Sequence, residues 1–77
     1  MTILTLSNGI TLNDEHESAK LLTAYAREKG IEGARVFLAD DKGAQSFLLV
    51  IGEMVAFESP QVEAVAVHID IIALATP

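Results

Sequence analysis

Two glycine-containing turns divide residues 34–58 into three short apolar segments, and this pattern limits the possible folds more than any other feature of the chain. Residues 40–43 read Asp-Asp-Lys-Gly, with glycine at the left-handed position of a turn, and Gly52-Glu53 fits a two-residue type II′ loop. β-Branched and aromatic side chains favour strands between these turns. The sequence therefore predicts an antiparallel meander with strands at residues 34–39, 45–51 and 54–58.

Asn8-Gly9 is typical of a hairpin loop, because both residue types tolerate positive φ. The flanking residues within 2–12 are rich in β-branched side chains and leucine. We therefore expect either a short hairpin here or one strand followed by a tight turn.

The clearest helix pattern spans residues 14–29. Asp14 followed three residues later by Glu17 is a capping-box pattern, and Asn13 is a second candidate N-cap. At the other end, Gly30 provides a C′ residue that adopts positive φ without a steric cost. We expect a helix that begins near Asp14 and ends at a glycine cap.

Residues 60–74 allow two interpretations. Ser59-Pro60 is typical of an N-cap followed by proline at the first helical position, and apolar residues then recur at helical spacing. Against this, residues 65–71 alternate like a strand, and β-branched residues favour one. A stretch of this length without glycine is long for a strand in so small a domain, and the Ser59-Pro60 start signal makes the helix the leading interpretation.

Together these elements predict an α+β fold in a single domain that spans residues 1–77. A small antiparallel sheet, made of an N-terminal strand or hairpin and the meander, packs with two helices in the order β(β)-α-β-β-β-α. The α-β-β-β-α part resembles in outline the topology of double-stranded-RNA-binding domains. Those domains hold phosphates with lysine and arginine, and residues 60–74 contain neither, so we predict no direct nucleic-acid binding.

Both faces of the predicted meander are apolar. Side chains alternate along a strand, so a three-residue loop at 41–43 places Phe37 opposite Phe47, and the loop at 52–53 places Ile51 opposite Met54. The predicted core face holds Val36, Leu38, Leu48, Val50, Val55 and Phe57. The predicted outer face holds Arg35, Phe37, Ala39, Phe47, Leu49, Ile51, Met54 and Ala56. A sheet face that meets water is normally polar, so we expect something to cover this one.

The predicted second helix repeats this excess, because two apolar stripes lie on nearly opposite sides of it. One stripe holds Val62, Val65, Ala66, Ile69, Ile72 and Ala73, and the other holds Ala64, Val67, Ile71 and Leu74. Internal covering by the hairpin or a helix, homodimerisation and a different protein partner all explain the excess. Homodimerisation is the leading hypothesis. The predicted apolar interface comprises Phe37, Phe47, Leu49, Ile51, Met54, Val67, Ile71 and Leu74.

Eleven acidic residues against five lysines and arginines give the chain a formal net charge of −6. The acidic residues are dispersed, so they serve either solubility or a carboxylate array that meets a basic groove on a partner. The candidate acidic surface comprises Asp14, Glu15, Glu17, Asp40, Asp41, Glu53 and Glu58.

No pattern for catalysis, metal binding or cofactor binding is present in the sequence. There is no cysteine, the glycines form no phosphate loop, and His68 and Asp70 point in different directions on a helix. No apolar run reaches the roughly 18 residues of a membrane span, and the N-terminus lacks the basic region of a signal peptide. We therefore predict a cytoplasmic protein that is not an enzyme and has no membrane partner.

The sequence predicts a non-enzymatic interaction module that forms a homodimer and acts by binding or blocking a larger macromolecule. Small, acidic, cysteine-free domains are common among bacterial and phage inhibitors, including anti-defence proteins of the anti-CRISPR type. The alternative is a structural or accessory subunit of an assembly. The third hypothesis is a small-ligand site lined by Phe37, Phe47, Tyr25 or Met54.

Overall fold

A computed structural model describes residues 3–5 and 9–75, which form five strands and two helices. The strands are β1 (Ile3–Thr5), β2 (Thr11–Asn13), β3 (Ala34–Asp41), β4 (Ala44–Ile51) and β5 (Met54–Ser59), and the helices are α1 (Glu17–Glu28) and α2 (Val62–Ala75). Each strand pairs antiparallel with the next, so the sheet order is β1-β2-β3-β4-β5. The predicted α+β class and the predicted order of elements are confirmed.

The N-terminal segment contributes two antiparallel strands, as the hairpin interpretation predicts. Leu4 pairs with Leu12 and Thr5 pairs with Thr11. Gly9 has the positive φ of 88° that a tight turn requires, whereas Asn8 lies outside the described residues.

Helix α1 begins three residues later than predicted, and its N-cap is His16 instead of Asp14. The Nδ1 atom of His16 accepts a hydrogen bond of 3.2 Å from the backbone N–H of Ser18. The Asp14 carboxylate is instead 3.5 Å from the Arg35 guanidinium on β3. The predicted capping box is therefore wrong, because an ion pair with a distant strand removes its first residue.

The C-terminus of α1 has the predicted glycine cap. Gly30 has a φ of 88°, its N–H donates to the Arg27 carbonyl, and the Ile31 N–H donates to the Ala26 carbonyl. This hydrogen-bond pair is a Schellman motif. Ile31 is buried in the core directly after it, so the cap also directs the chain into β3.

The β3–β4 turn is one residue shorter than predicted, so the predicted register is wrong. Asp41 pairs with Ala44, and both Lys42 and Gly43 have positive φ, which defines a two-residue type I′ turn. A non-glycine residue at positive φ costs about 1–2 kcal/mol, so tertiary packing must favour this turn.

The preference comes from the residues that each register buries. A slip of one residue moves every side chain of β4 to the other face of the sheet. In the observed register Leu38 pairs with Phe47, and both are buried on the helix side. The predicted register puts Ser46 in the place of Phe47, which buries a hydroxyl and exposes a large aromatic ring.

The β4–β5 connection is the predicted two-residue loop. Ile51 pairs with Met54, and Gly52 has a φ of 65°. A bulge follows, because Val50 pairs with Val55 but Leu49 pairs with Phe57. The bulge turns Phe57 toward the core.

The hydrophobic core lies between the two helices and one face of the sheet. Its buried members are Ala19, Leu22, Ala26, Ile31, Ala34, Val36, Leu38, Phe47, Leu49, Val65 and Ile69. The predicted core residues Val36 and Leu38 are confirmed, and Phe57 packs against this cluster half-buried. Leu48, Val50 and Val55 belong to the outer face, because the β4 register is shifted.

Residues 62–75 form helix α2, which confirms the helical interpretation of this stretch. The Ser59 hydroxyl accepts a hydrogen bond of 3.1 Å from the Gln61 N–H just before the helix begins. Val65 and Ile69 face the sheet and are fully buried. The strand interpretation is therefore wrong.

Candidate interaction surface

The predicted apolar interface loses its central members, because the corrected register moves them inside the molecule. Phe47 and Leu49 are buried in the core, and Ile51 packs half-buried against it. Of the residues named in the third hypothesis, Tyr25 lines a groove between the two helices, and the small-ligand site stays a prediction.

The second stripe of α2 is exposed, as its pattern indicates. Val67 is 56% exposed, Ile71 55% and Leu74 88%. They follow one another at a spacing of four and three residues, so they lie on one face of the helix. None of the described elements packs over this face.

A shallow groove connects this stripe to strand β5. The ring of His68 stacks on the ring of Phe57, with 4.3 Å between the centroids and an angle of 8° between the planes. The groove, of about 490 Å³, is lined by Phe57, Gln61, Glu63, Ala64, Val67, His68 and Ile71.

Strand β5 is the last strand of the sheet, and its outer edge pairs with no described strand. Met54 and Val55 at its start are both more than half exposed. We call the apolar side chains on the helix side of this region the α2–β5 surface, which comprises half-buried Phe57 and the exposed Met54, Val67, Ile71 and Leu74.

The outer face of the sheet remains apolar after the register is corrected, but its side chains bury part of one another's surface. It carries Phe37, Leu48 and Val50, all half-buried. The Arg35 guanidinium lies 4.8 Å from the centroid of the Phe37 ring. Among the β3, β4 and β5 side chains of this face, only Val55 is both a large apolar residue and highly exposed.

The predicted acidic residues do not form one array. Glu53 lies in the β4–β5 turn, at the opposite end of an eight-residue strand from Asp41, which is about 25 Å at 3.3 Å per residue. Asp14 is paired with Arg35, and the Glu58 carboxylate accepts a hydrogen bond of 2.8 Å from the Ser46 hydroxyl. Glu15 and Glu17 are exposed at the start of α1.

Asp40 is committed to the β3–β4 turn. Its Oδ1 accepts a hydrogen bond of 2.9 Å from the Gly43 N–H, and its Oδ2 accepts one of 3.1 Å from the Gln45 side chain. The bond from Gly43 first, and then that from Gln45, hold the pKa of Asp40 below its ordinary value. Asp40 therefore acts as a turn residue. The exposed carboxylate at this position of the surface belongs to its neighbour Asp41.

Sequence reasoning missed the polar contact that joins the two helices. The Tyr25 hydroxyl on α1 donates to the Asp70 carboxylate on α2, and the Lys29 ammonium lies 3.9 Å from the same oxygen. The bond to Asp70, then desolvation, then the Asp70 charge raise the pKa of Tyr25, and Lys29 opposes them. Tyr25 and Asp70 are 45 residues apart, so no local pattern indicates the contact.

Comparison with protein-family models, with curated proteins and with solved structures finds no match to this chain. Within residues 3–5 and 9–75, no three acidic or histidine side chains are grouped so that they could hold a metal ion. No helix in these same ranges has the length and apolar character needed to cross a membrane.

Proposed function

We propose that this protein is a non-enzymatic interaction module that forms a homodimer through the α2–β5 surface and acts by binding another protein. The observation that supports it is the exposed apolar stripe of Val67, Ile71 and Leu74 beside an edge strand. Such a patch costs free energy in water, and a symmetric contact is the commonest way to cover it.

Charge favours a second copy on this surface over a contact elsewhere. Two copies that each carry a net charge of −6 repel, so a stable contact needs an uncharged centre. The side chains of Met54, Val67, Ile71 and Leu74 provide one. An unpaired strand edge such as β5 also readily accepts a second strand, and β5 contains neither lysine nor proline to prevent it.

In such a dimer the carboxylates of Glu15, Glu17 and Asp41 remain on the surface. A protein partner with a basic groove fits them, and its binding weakens as salt rises, because exposed charges are screened. The dimer itself responds in the opposite direction, because salt screens the repulsion between the two copies.

The test is the mass in solution, measured by light scattering at two protein concentrations. We expect twice the 8.2 kDa of one chain. Ile71→Asp buries a carboxylate on each side of the contact and raises the dissociation constant by about a hundredfold or more.

Leu21→Asp is the matched control, because Leu21 is an apolar residue of α1 that is 65% exposed, more than Ile71 at 55%. It should leave the dimer intact, and circular dichroism should show both variants folded. A wild-type chain that stays at 8.2 kDa at high concentration contradicts the dimer.

A further inference from the structure

A groove between α1 and β3 gathers three of the five basic residues of an acidic chain. It measures about 450 Å³, and its lining contains one acidic residue. The lining residues are Asp14, Lys20, Thr23, Ala24, Arg27 and Arg35. The groove is therefore locally positive, while the whole chain carries a net charge of −6.

The groove exists because β2 is short. Asn13 at the end of β2 pairs with Leu38, so residues 34–37 have no strand beside them on this side. Helix α1 takes the place of the missing strand. The Thr23 hydroxyl accepts a hydrogen bond of 2.9 Å from the Val36 N–H, and the Arg27 Nε donates one of 3.2 Å to the Ala34 carbonyl.

Helical spacing aligns the basic side chains along this edge. Lys20, Thr23, Ala24 and Arg27 stand at positions i, i+3, i+4 and i+7, so they share one face of α1. The Nε bond to Ala34 orients the Arg27 guanidinium, and its two Nη groups make no hydrogen bond or ion pair with any described residue. Stacking on Phe37 orients Arg35.

Asp14 occupies the groove as a poorly placed anion. Its Oδ2 is 3.5 Å from Arg35, which is long for a charge-assisted hydrogen bond. Its Oδ1 is buried and has no hydrogen-bond donor among the residues that the structure describes. An external oxyanion that contacts two guanidinium groups directly makes stronger bonds than this carboxylate does.

We propose that this groove binds a small phosphate-bearing ligand, with Arg27, Arg35 and Lys20 on the phosphate oxygens and Asp14 as the internal competitor. A phosphate group carries nearly two negative charges and three acceptor oxygens. It therefore matches three cationic donors better than a single carboxylate does. The groove volume lies within the range of small-molecule sites. The groove borders β3 on its β2 side, and none of its lining residues belongs to the α2–β5 surface, so the proposal is independent of the dimer.

The test is a titration of ¹⁵N-labelled protein with inorganic pyrophosphate at constant ionic strength, followed by NMR. We expect saturable shifts at the amides of Thr23, Ala24 and Arg35. Arg35→Gln and Lys20→Gln should each weaken binding about tenfold. Lys42→Gln removes the same charge in the β3–β4 turn and should change binding less than about twofold.

A second pair of variants tests the role of Asp14. Asp14→Asn removes the competing carboxylate and should strengthen pyrophosphate binding about threefold or more. Glu63→Gln changes the net charge equally on the α2–β5 side of the molecule and should have little effect. An equal gain in both variants shows attraction by net charge alone and overturns the site.

Three further outcomes overturn the proposal. The first is the absence of saturable shifts with pyrophosphate. The second is citrate binding as tightly as pyrophosphate, which shows a site for any multivalent anion. The third is binding of a single-stranded oligonucleotide without binding of pyrophosphate, which shows a nucleic-acid surface in place of a small-ligand site.

Discussion

Helices α1 and α2 contribute to the same core, yet they present different surfaces to solvent. On α1 the buried residues are Ala19, Leu22 and Ala26, and the opposite side is mainly polar. On α2 the buried residues Val65 and Ile69 are matched by an exposed apolar stripe. The apolar pattern of α1 is largely buried within one molecule, whereas α2 leaves a second apolar stripe exposed.

The largest expected effect is the difference in stability loss between a substitution in the buried stripe of α2 and one in its exposed stripe. Ile69 is fully buried, so Ile69→Ala leaves a cavity and should lower the free energy of unfolding by about 2–5 kcal/mol. Ile71→Ala should cost less than about 0.5 kcal/mol in the monomer, and more as protein concentration and dimer population rise. Urea unfolding at two protein concentrations measures the change in the free energy of unfolding for both variants. Equal losses at low concentration would contradict the division into inner and outer stripes.

An intermediate effect tests how α1 replaces a strand at the edge of β3. Thr23→Val keeps the shape of the side chain and removes the acceptor for the Val36 N–H. A part-buried donor without a partner should lower the free energy of unfolding by about 1–3 kcal/mol. Thr23→Ser is the matched control, because it keeps the hydroxyl. If Thr23→Val is as stable as the wild type, the hydrogen bond to the Val36 N–H contributes nothing to stability.

The smallest effect concerns the contact between the helices and depends on pH. The neutral Tyr25 hydroxyl donates to Asp70, and the pKa of Tyr25 is raised above 10.0. The folded-state pKa exceeds the unfolded one, so this stabilisation is complete below pH 10 and is lost as the pH rises through the folded value. Unfolding by urea should show a steeper alkaline loss of stability in the wild type than in Tyr25→Phe.

The difference between these two curves gives the contribution of the Tyr25 hydroxyl to stability, because Lys29 and Asp70 are present in both proteins. Parallel curves across the alkaline range would show that the bond between Tyr25 and Asp70 contributes nothing to stability in solution.

Features that depend on a few neighbouring residues are predictable from the sequence. The Schellman motif at Gly30 and the two-residue loop at Gly52 follow from glycine at positive φ. The exposed stripe of α2 follows from helical spacing once the helix interpretation is chosen. The N-cap of α1 was not predictable, because Arg35, which draws Asp14 away, lies 21 positions further along the chain.

The sequence by itself determined the class of fold, the order of its elements and the excess of apolar side chains, because these follow from local backbone preferences and composition. Only the tertiary structure decided which face of β4 is buried. Burial of Phe47 outweighs the local cost of positive φ at Lys42. The register therefore depends on which side chains meet across different strands, and local sequence does not show this. The tertiary structure likewise brought Lys20, Arg27 and Arg35 to one groove, because β2 ends early and α1 covers the strand edge left beside it.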